Sequence, residues 1–223
     1  MNTNAAVYRQ PALAAELLGR STWPQYALVL AGVLLLTLSA KIQIPLWPVP
    51  MTMQTYVILV IGMAYGTRLG LLTVAAYLAA GALGLPVFAG TPEKGIGVAY
   101  MLGPTGGYLV GFVVAVAICG KLTERGWDRR LITSLAAMTI GHGVILLCGA
   151  VWLATLMGLE RAIALGVTPF FLATVVKTLL AAMTVPIAWK WVKAAAISHS
   201  LSVRLGIEIC KRPCKAMPVA GGH

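Results

Sequence analysis

The apolar stretches of this chain run unbroken for most of a bilayer width. That single property limits what it can fold into. Leu131–Met157 contains no charged residue, and the 24 residues from Pro169 to Val192 contain two, Lys177 and Lys190. A soluble domain is about 45–50% apolar and about 25% charged. Here 59% is apolar and 10% charged, so the chain cannot cover itself with polar surface. A transmembrane β-barrel needs short alternating segments, which this sequence lacks. The expected fold is therefore an all-α membrane protein. Soluble enzymes, nucleic-acid binders and secreted disulfide scaffolds are disfavoured, because the net charge of +11 reads as loop bias beside the membrane.

At about 20 residues per span, six transmembrane helices fit. A polar N-terminal segment, 1–24, precedes a membrane domain, 25–193, and a basic tail, 194–223. The first apolar run, Gln25–Ile44, is too long for a signal-peptide core and reads as a retained helix. Three prolines, Pro45, Pro48 and Pro50, then force an extended connection. Spans two (Thr52–Tyr65) and three (Leu69–Gly84) are short and joined by a tight hairpin at Gly66-Thr67-Arg68. The Gly- and Pro-rich segment Leu85–Pro104 stays substantially apolar. Irregular backbone at membrane depth must be buried or line a cavity, so it reads as a lid or re-entrant element. Spans four to six fall at Thr105–Leu122, Leu131–Met157 and Pro169–Val192, with Thr168-Pro169 as N-cap and first helical residue of the last.

With both termini cytoplasmic, thirteen Lys and Arg lie inside and three outside (Lys41, Lys94, Arg161), leaving Lys177 within span six, which accounts for all 17. The bias fits the positive-inside rule. The six tryptophans fall near span ends, as an interfacial belt does.

All six acidic residues lie in loops, tails or span ends. Intramembrane carboxylates commonly serve as proton or ion relays, and a catalytic metal needs clustered ligands. Neither is expected, nor is a cofactor or a catalytic residue. No Walker A pattern is present, so uphill work requires a partner. Cys119 and Cys148 read as buried small hydrophobes, and Cys210 and Cys214, near His223, as unpaired thiols.

Lys177 is the charge placed deep in a span, about 12 Å along the helix from Pro169. Burying lysine there costs about 2.5–3.5 kcal/mol on insertion scales, and an anionic ligand is a natural partner; outward snorkelling is the alternative. Thr174 shares its face. His142, between Gly141 and Gly143, sits inside span five, either bonded to a neighbouring helix or facing a ligand. Thr105, Gly106 and Tyr108 open span four, where helix N–H donors suit a carboxylate or carbonyl. Ala27 and Ala31 form a small-residue stripe for helix packing or for docking another membrane protein.

The runs Pro50-Met51-Thr52-Met53-Gln54-Thr55, Tyr65-Gly66-Thr67-Arg68-Leu69-Gly70, Gly84-Leu85-Pro86-Val87-Phe88-Ala89-Gly90 and Gly103-Pro104-Thr105-Gly106-Gly107-Tyr108-Leu109 resemble the BioY family over roughly residues 25–193. BioY proteins are the biotin-binding S-components of energy-coupling factor (ECF) transporters. The resemblance implies the S-component fold and a multi-pass place in the inner (plasma) membrane. It also implies biotin capture from outside and a partner module of one transmembrane coupling protein and two ABC-type ATPases, contacted through Ala27 and Ala31. Matching biotin's chemistry to the residues assigns Lys177 to the biotin carboxylate. Thr174, Thr105, Gly106, Tyr108 and His142 are left for polar contacts, and Phe88 and Trp47 for apolar walls or lid. The family often carries Asp where this chain has Thr174. The rival readings are an S-component for another small anionic vitamin and an intramembrane enzyme acting on a lipid-like substrate.

Overall fold

The computed structural model describes residues 12–14, 22–93 and 95–211, with side chains from 192 onward outside the description. Arg9, Glu16, Arg20, Lys94, Cys214, His223 and the Cys210 side chain therefore lie outside it.

Helix α1 spans Thr22–Lys41. It ends where Gln43–Ile44 (β1) pairs antiparallel with Met51–Thr52 (β2), with Gln43 opposite Thr52. The proline-bearing connection between them, expected to be extended, instead bends at 47–49 and reverses the chain so that the two strands can pair; the Leu46 N–H closes back on the Ile44 carbonyl at 2.9 Å. This two-stranded pair is the one β-sheet among the described residues.

Helix α2 spans Gln54–Ala82 but breaks at Gly66, whose φ of 74° and ψ of −176° suit glycine alone. The two halves fold back on each other. A Cβ on Gly70 would lie 3.7 Å from the Gly62 Cα, and Gln54 reaches Tyr77 across the hairpin. Among the described residues, five helices are long and apolar enough to cross a membrane. Because α2 is a hairpin, they make six apolar segments.

Past Gly84 the chain is irregular except for the short helix α3, Gly97–Met101. Helix α4 follows at Gly106–Thr123 and α5 at Leu131–Met157. A separate amphipathic helix, α6, covers Leu159–Gly166, where a loop is expected. Thr168–Phe170 is a 3-10 turn. The Thr168 hydroxyl donates back to the Ile163 carbonyl at 3.1 Å, so it closes α6 and does not cap the next helix. Helix α7 runs from Phe171 to Lys211. The chain to Ile187 forms one compact unit, and from Ala188 a second, whose described part is the rest of α7.

Glycine sets the close contacts of the first unit. Cβ atoms on Gly106 and Gly107 would lie 2.1 Å from the Met101 carbonyl and 2.2 Å from the Trp152 Cβ. The core between α2, α4 and α5 holds Ile58, Met63, Val116, Met138 and Ile145, all fully buried. Cys119 is buried and Cys148 half-buried, so only the first behaves as a core residue.

Candidate functional site

The segment after α2 is pinned inward by side chains from three elements. Phe88 is 1% exposed. Its ring stacks on Tyr100 at 4.9 Å and meets Tyr77 edge-on at 5.5 Å. The Tyr77 hydroxyl accepts from Gln54 Nε2 at 2.6 Å and donates to the Val87 carbonyl at 3.0 Å. Tyr100 donates to the Ala89 carbonyl at 2.8 Å. Burial raises the Tyr100 phenol above its ordinary range, so it stays a neutral donor. From the end of α1, the Lys41 ammonium donates to the Phe88 carbonyl (3.2 Å), the Thr91 carbonyl (3.1 Å) and the Thr91 hydroxyl (3.2 Å).

Beneath this roof lies a chamber of about 50 Å³. It is lined by Val49, Pro50 and Thr52 from the β-hairpin, Gln54 and Thr55 from α2, and Phe88 from the roof. Thr105, Tyr108, Phe112, His142, Ile145, Phe170, Thr174 and Lys177 complete most of the wall. Among the described lining residues, Lys177 carries the one formal charge. Apolar walls with a few convergent polar groups are the usual composition of a small-molecule site.

Lys177 is buried, and its Nζ donates to the Thr52 carbonyl at 2.5 Å. Snorkelling outward is thereby excluded in this conformation. Both residues also line an open, largely apolar groove of about 540 Å³ on the far side, with Ile44, Leu172, Val176 and Leu180. The Lys177–Thr52 contact thus stands between the inner chamber and a lateral groove.

Six of the eight expected binding residues meet at the chamber: Lys177, Thr174, Thr105, Tyr108, His142 and Phe88. Gly106 and Trp47 do not. The Gly106 N–H donates to the Gly103 carbonyl at 3.0 Å and its Cα packs at the Met101–Trp152 junction, so neither faces a ligand. Trp47 is 75% exposed at the hairpin turn, the placement of an interfacial anchor. The Tyr108 hydroxyl is used on the Gly166 carbonyl at 2.8 Å, so its ring, not its O–H, serves the chamber. Gln54, Thr52 and Tyr100 were missed from the expected set. Gln54 had a signal, as a polar residue opening an otherwise apolar span. Ala27 and Ala31 are both exposed on α1, in line with Trp23, Leu30, Leu34 and Leu38. Among the described residues, no three His, Cys, Asp or Glu gather closely enough for a metal.

A set of six apolar helical segments with a small inner chamber and one buried cation defines a multi-pass membrane protein built to hold a small molecule. The chain belongs to the BioY family, whose model matches residues 13–194. It is 40% identical over 153 residues to the probable biotin transporter BioY of Pyrococcus horikoshii, covering 69% of this chain and 88% of that one. It is 36% identical over 159 residues to the biotin transporter BioY of Thermotoga maritima, covering 70% and 91%. The fold matches the crystal structure of the S-component for biotin from an ECF-type ABC transporter, with a TM-score of 0.62 and 25% identity over 76% of this chain and 95% of that one.

Proposed function

We propose that this chain is the biotin-capturing S-component of an ECF-type transporter. It takes biotin from outside and delivers it inward with an ATP-hydrolysing module. The observation that carries this reading is the buried Lys177 ammonium in the wall of an otherwise uncharged chamber. Biotin has one carboxylate, a polar ureido edge and an apolar bicycle and chain. Lys177 meets the carboxylate, Phe88, Tyr108 and Phe112 flank the apolar body, and Thr105, Thr174, Gln54 and His142 are within the wall that meets the polar edge. A chamber of about 50 Å³ is below the about 300–1,000 Å³ usual for such ligands. Loading therefore requires the contact at Lys177 or the roof at Phe88 to yield.

The rest of the reading follows from charge and exposure. The termini face the cytoplasm of an inner (plasma) membrane, with 25–193 as the membrane domain between the segments 1–24 and 194–223. Ala27 and Ala31 on the outward face of α1 dock the coupling protein, which joins two ABC-type ATPases. The chain itself performs no chemistry, and its relatives are named as transporters.

Isothermal titration of the purified protein, stripped of endogenous ligand, tests the proposal. Saturable biotin binding, undisplaced by pantothenate or lipoate, is expected. Preferred binding of either competitor assigns the chamber to another anionic vitamin. Turnover of a lipid-like substrate would replace capture with catalysis.

A further inference from the structure

Thr178, one residue beyond Lys177, lies outside the chamber lining but touches a residue inside it. Its hydroxyl is 2.7 Å from the Thr174 carbonyl and 2.8 Å from His142 Nδ1. A carbonyl oxygen can only accept, so the single hydroxyl proton belongs on the line to Thr174. The hydroxyl oxygen must then accept from His142, which places the ring proton on Nδ1. In the neutral imidazole Nε2 is left as a bare acceptor.

His142 is 2% exposed and lines the chamber, and its Nε2 finds no partner. A buried acceptor left unmatched is costly. The ligand that satisfies it must bring an N–H or O–H, and a carboxylate brings neither. We infer that His142 Nε2 accepts a ureido N–H of biotin and that Thr178 is the positioning residue that fixes its tautomer. This rests on the biotin reading above. It divides the polar work of the chamber by sign: Lys177 supplies a donor to the ligand's anionic end, and His142 supplies an acceptor to its N–H edge.

The test is titration of biotin and its two ureido mono-N-methyl analogues against the full chain and three variants, His142→Gln, His142→Leu and Thr178→Val. Histidine-selective ¹⁵N spectra are recorded alongside. One methyl analogue is expected to bind the native protein about 10–100-fold more weakly than biotin, the scale of a buried hydrogen bond left unmade. His142→Leu weakens biotin by a similar factor while leaving that analogue unchanged. His142→Gln, whose amide oxygen can replace Nε2, recovers most of the loss. In the spectra, the free protein shows His142 protonated at Nδ1, and biotin moves the bare Nε2 resonance. Thr178→Val mixes the two tautomers without removing the ring. Native protein that binds both methyl analogues as well as biotin, or a His142 protonated at Nε2, overturns the inference while leaving biotin capture intact. Native protein that binds no biotin overturns both.

Discussion

Replacing Lys177 by methionine keeps the length and apolar bulk of the side chain and removes the ammonium. That ammonium already donates to the Thr52 carbonyl at 2.5 Å. In the variant this carbonyl lacks its partner both with and without ligand, so its penalty cancels from the binding free energy. What does not cancel is the contact from the ammonium to the biotin carboxylate. A hydrogen bond to a charged group contributes about 1.5–3 kcal/mol, and at 1.4 kcal/mol per tenfold this is roughly 10–150-fold in Kd. The ammonium has three protons and one is already given to Thr52, so the ligand shares it, which puts the expected loss toward the lower half of that range. Titration calorimetry with biotin and with its neutral amide reads the effect directly. The variant should lose roughly 10–50-fold on biotin and little on the amide. Equal losses on both would show that Lys177 shapes the wall and does not meet the charge. A loss below about threefold on biotin would remove the carboxylate assignment altogether.

Other consequences are open to simpler measurements. Gly66→Ala forces a side chain into a backbone region open to glycine and should destabilise the fold by about 1–3 kcal/mol, read as a lower melting temperature in detergent. Lys41→Met removes three contacts from the segment over the chamber. Because Lys41 is itself exposed, the expected cost is about 1 kcal/mol, seen as faster hydrogen exchange at 87–91 with little change elsewhere. Ala27→Trp with Ala31→Trp adds bulk on an exposed face, so biotin titration should be unchanged while co-purification of the coupling protein and ATPases falls. Retained co-purification would move the docking surface off α1.

The six apolar segments, the absence of helix at 45–50 and the turn at Gly66 were all legible, because each follows from a local rule: span length, proline geometry or glycine freedom. The path of 45–50 was not: it bends back through the pairing of 43–44 with 51–52, a contact between strands. Lys177 was legible because a buried charge has few explanations. The misreadings share a cause. Gly106 looked like the mouth of an anion site because helix N-termini offer donors, but the local turn through Gly103 uses its N–H. Trp47 was offered as an apolar wall or lid, yet it sits in the turn between the paired strands 43–44 and 51–52 and is exposed. The Gln54–Tyr77 and Thr178–His142 contacts join residues 23 and 36 positions apart. No local pattern in a single sequence announces such pairs, since they exist only once the helices are packed.

The attachment at Lys41 gives α1 two occupations. One side of this helix carries the outward stripe of Ala27 and Ala31, and its last residue holds the backbone of Phe88 and Thr91. The joint is the side chain of an exposed lysine, worth about 1 kcal/mol, on a flexible four-carbon stem. It is therefore the weakest link between α1 and the ceiling: a tilt of α1 would slip the ammonium from its three oxygens before it parted Phe88 from Tyr100 and Tyr77. The ceiling can stay shut while its nearest helix moves.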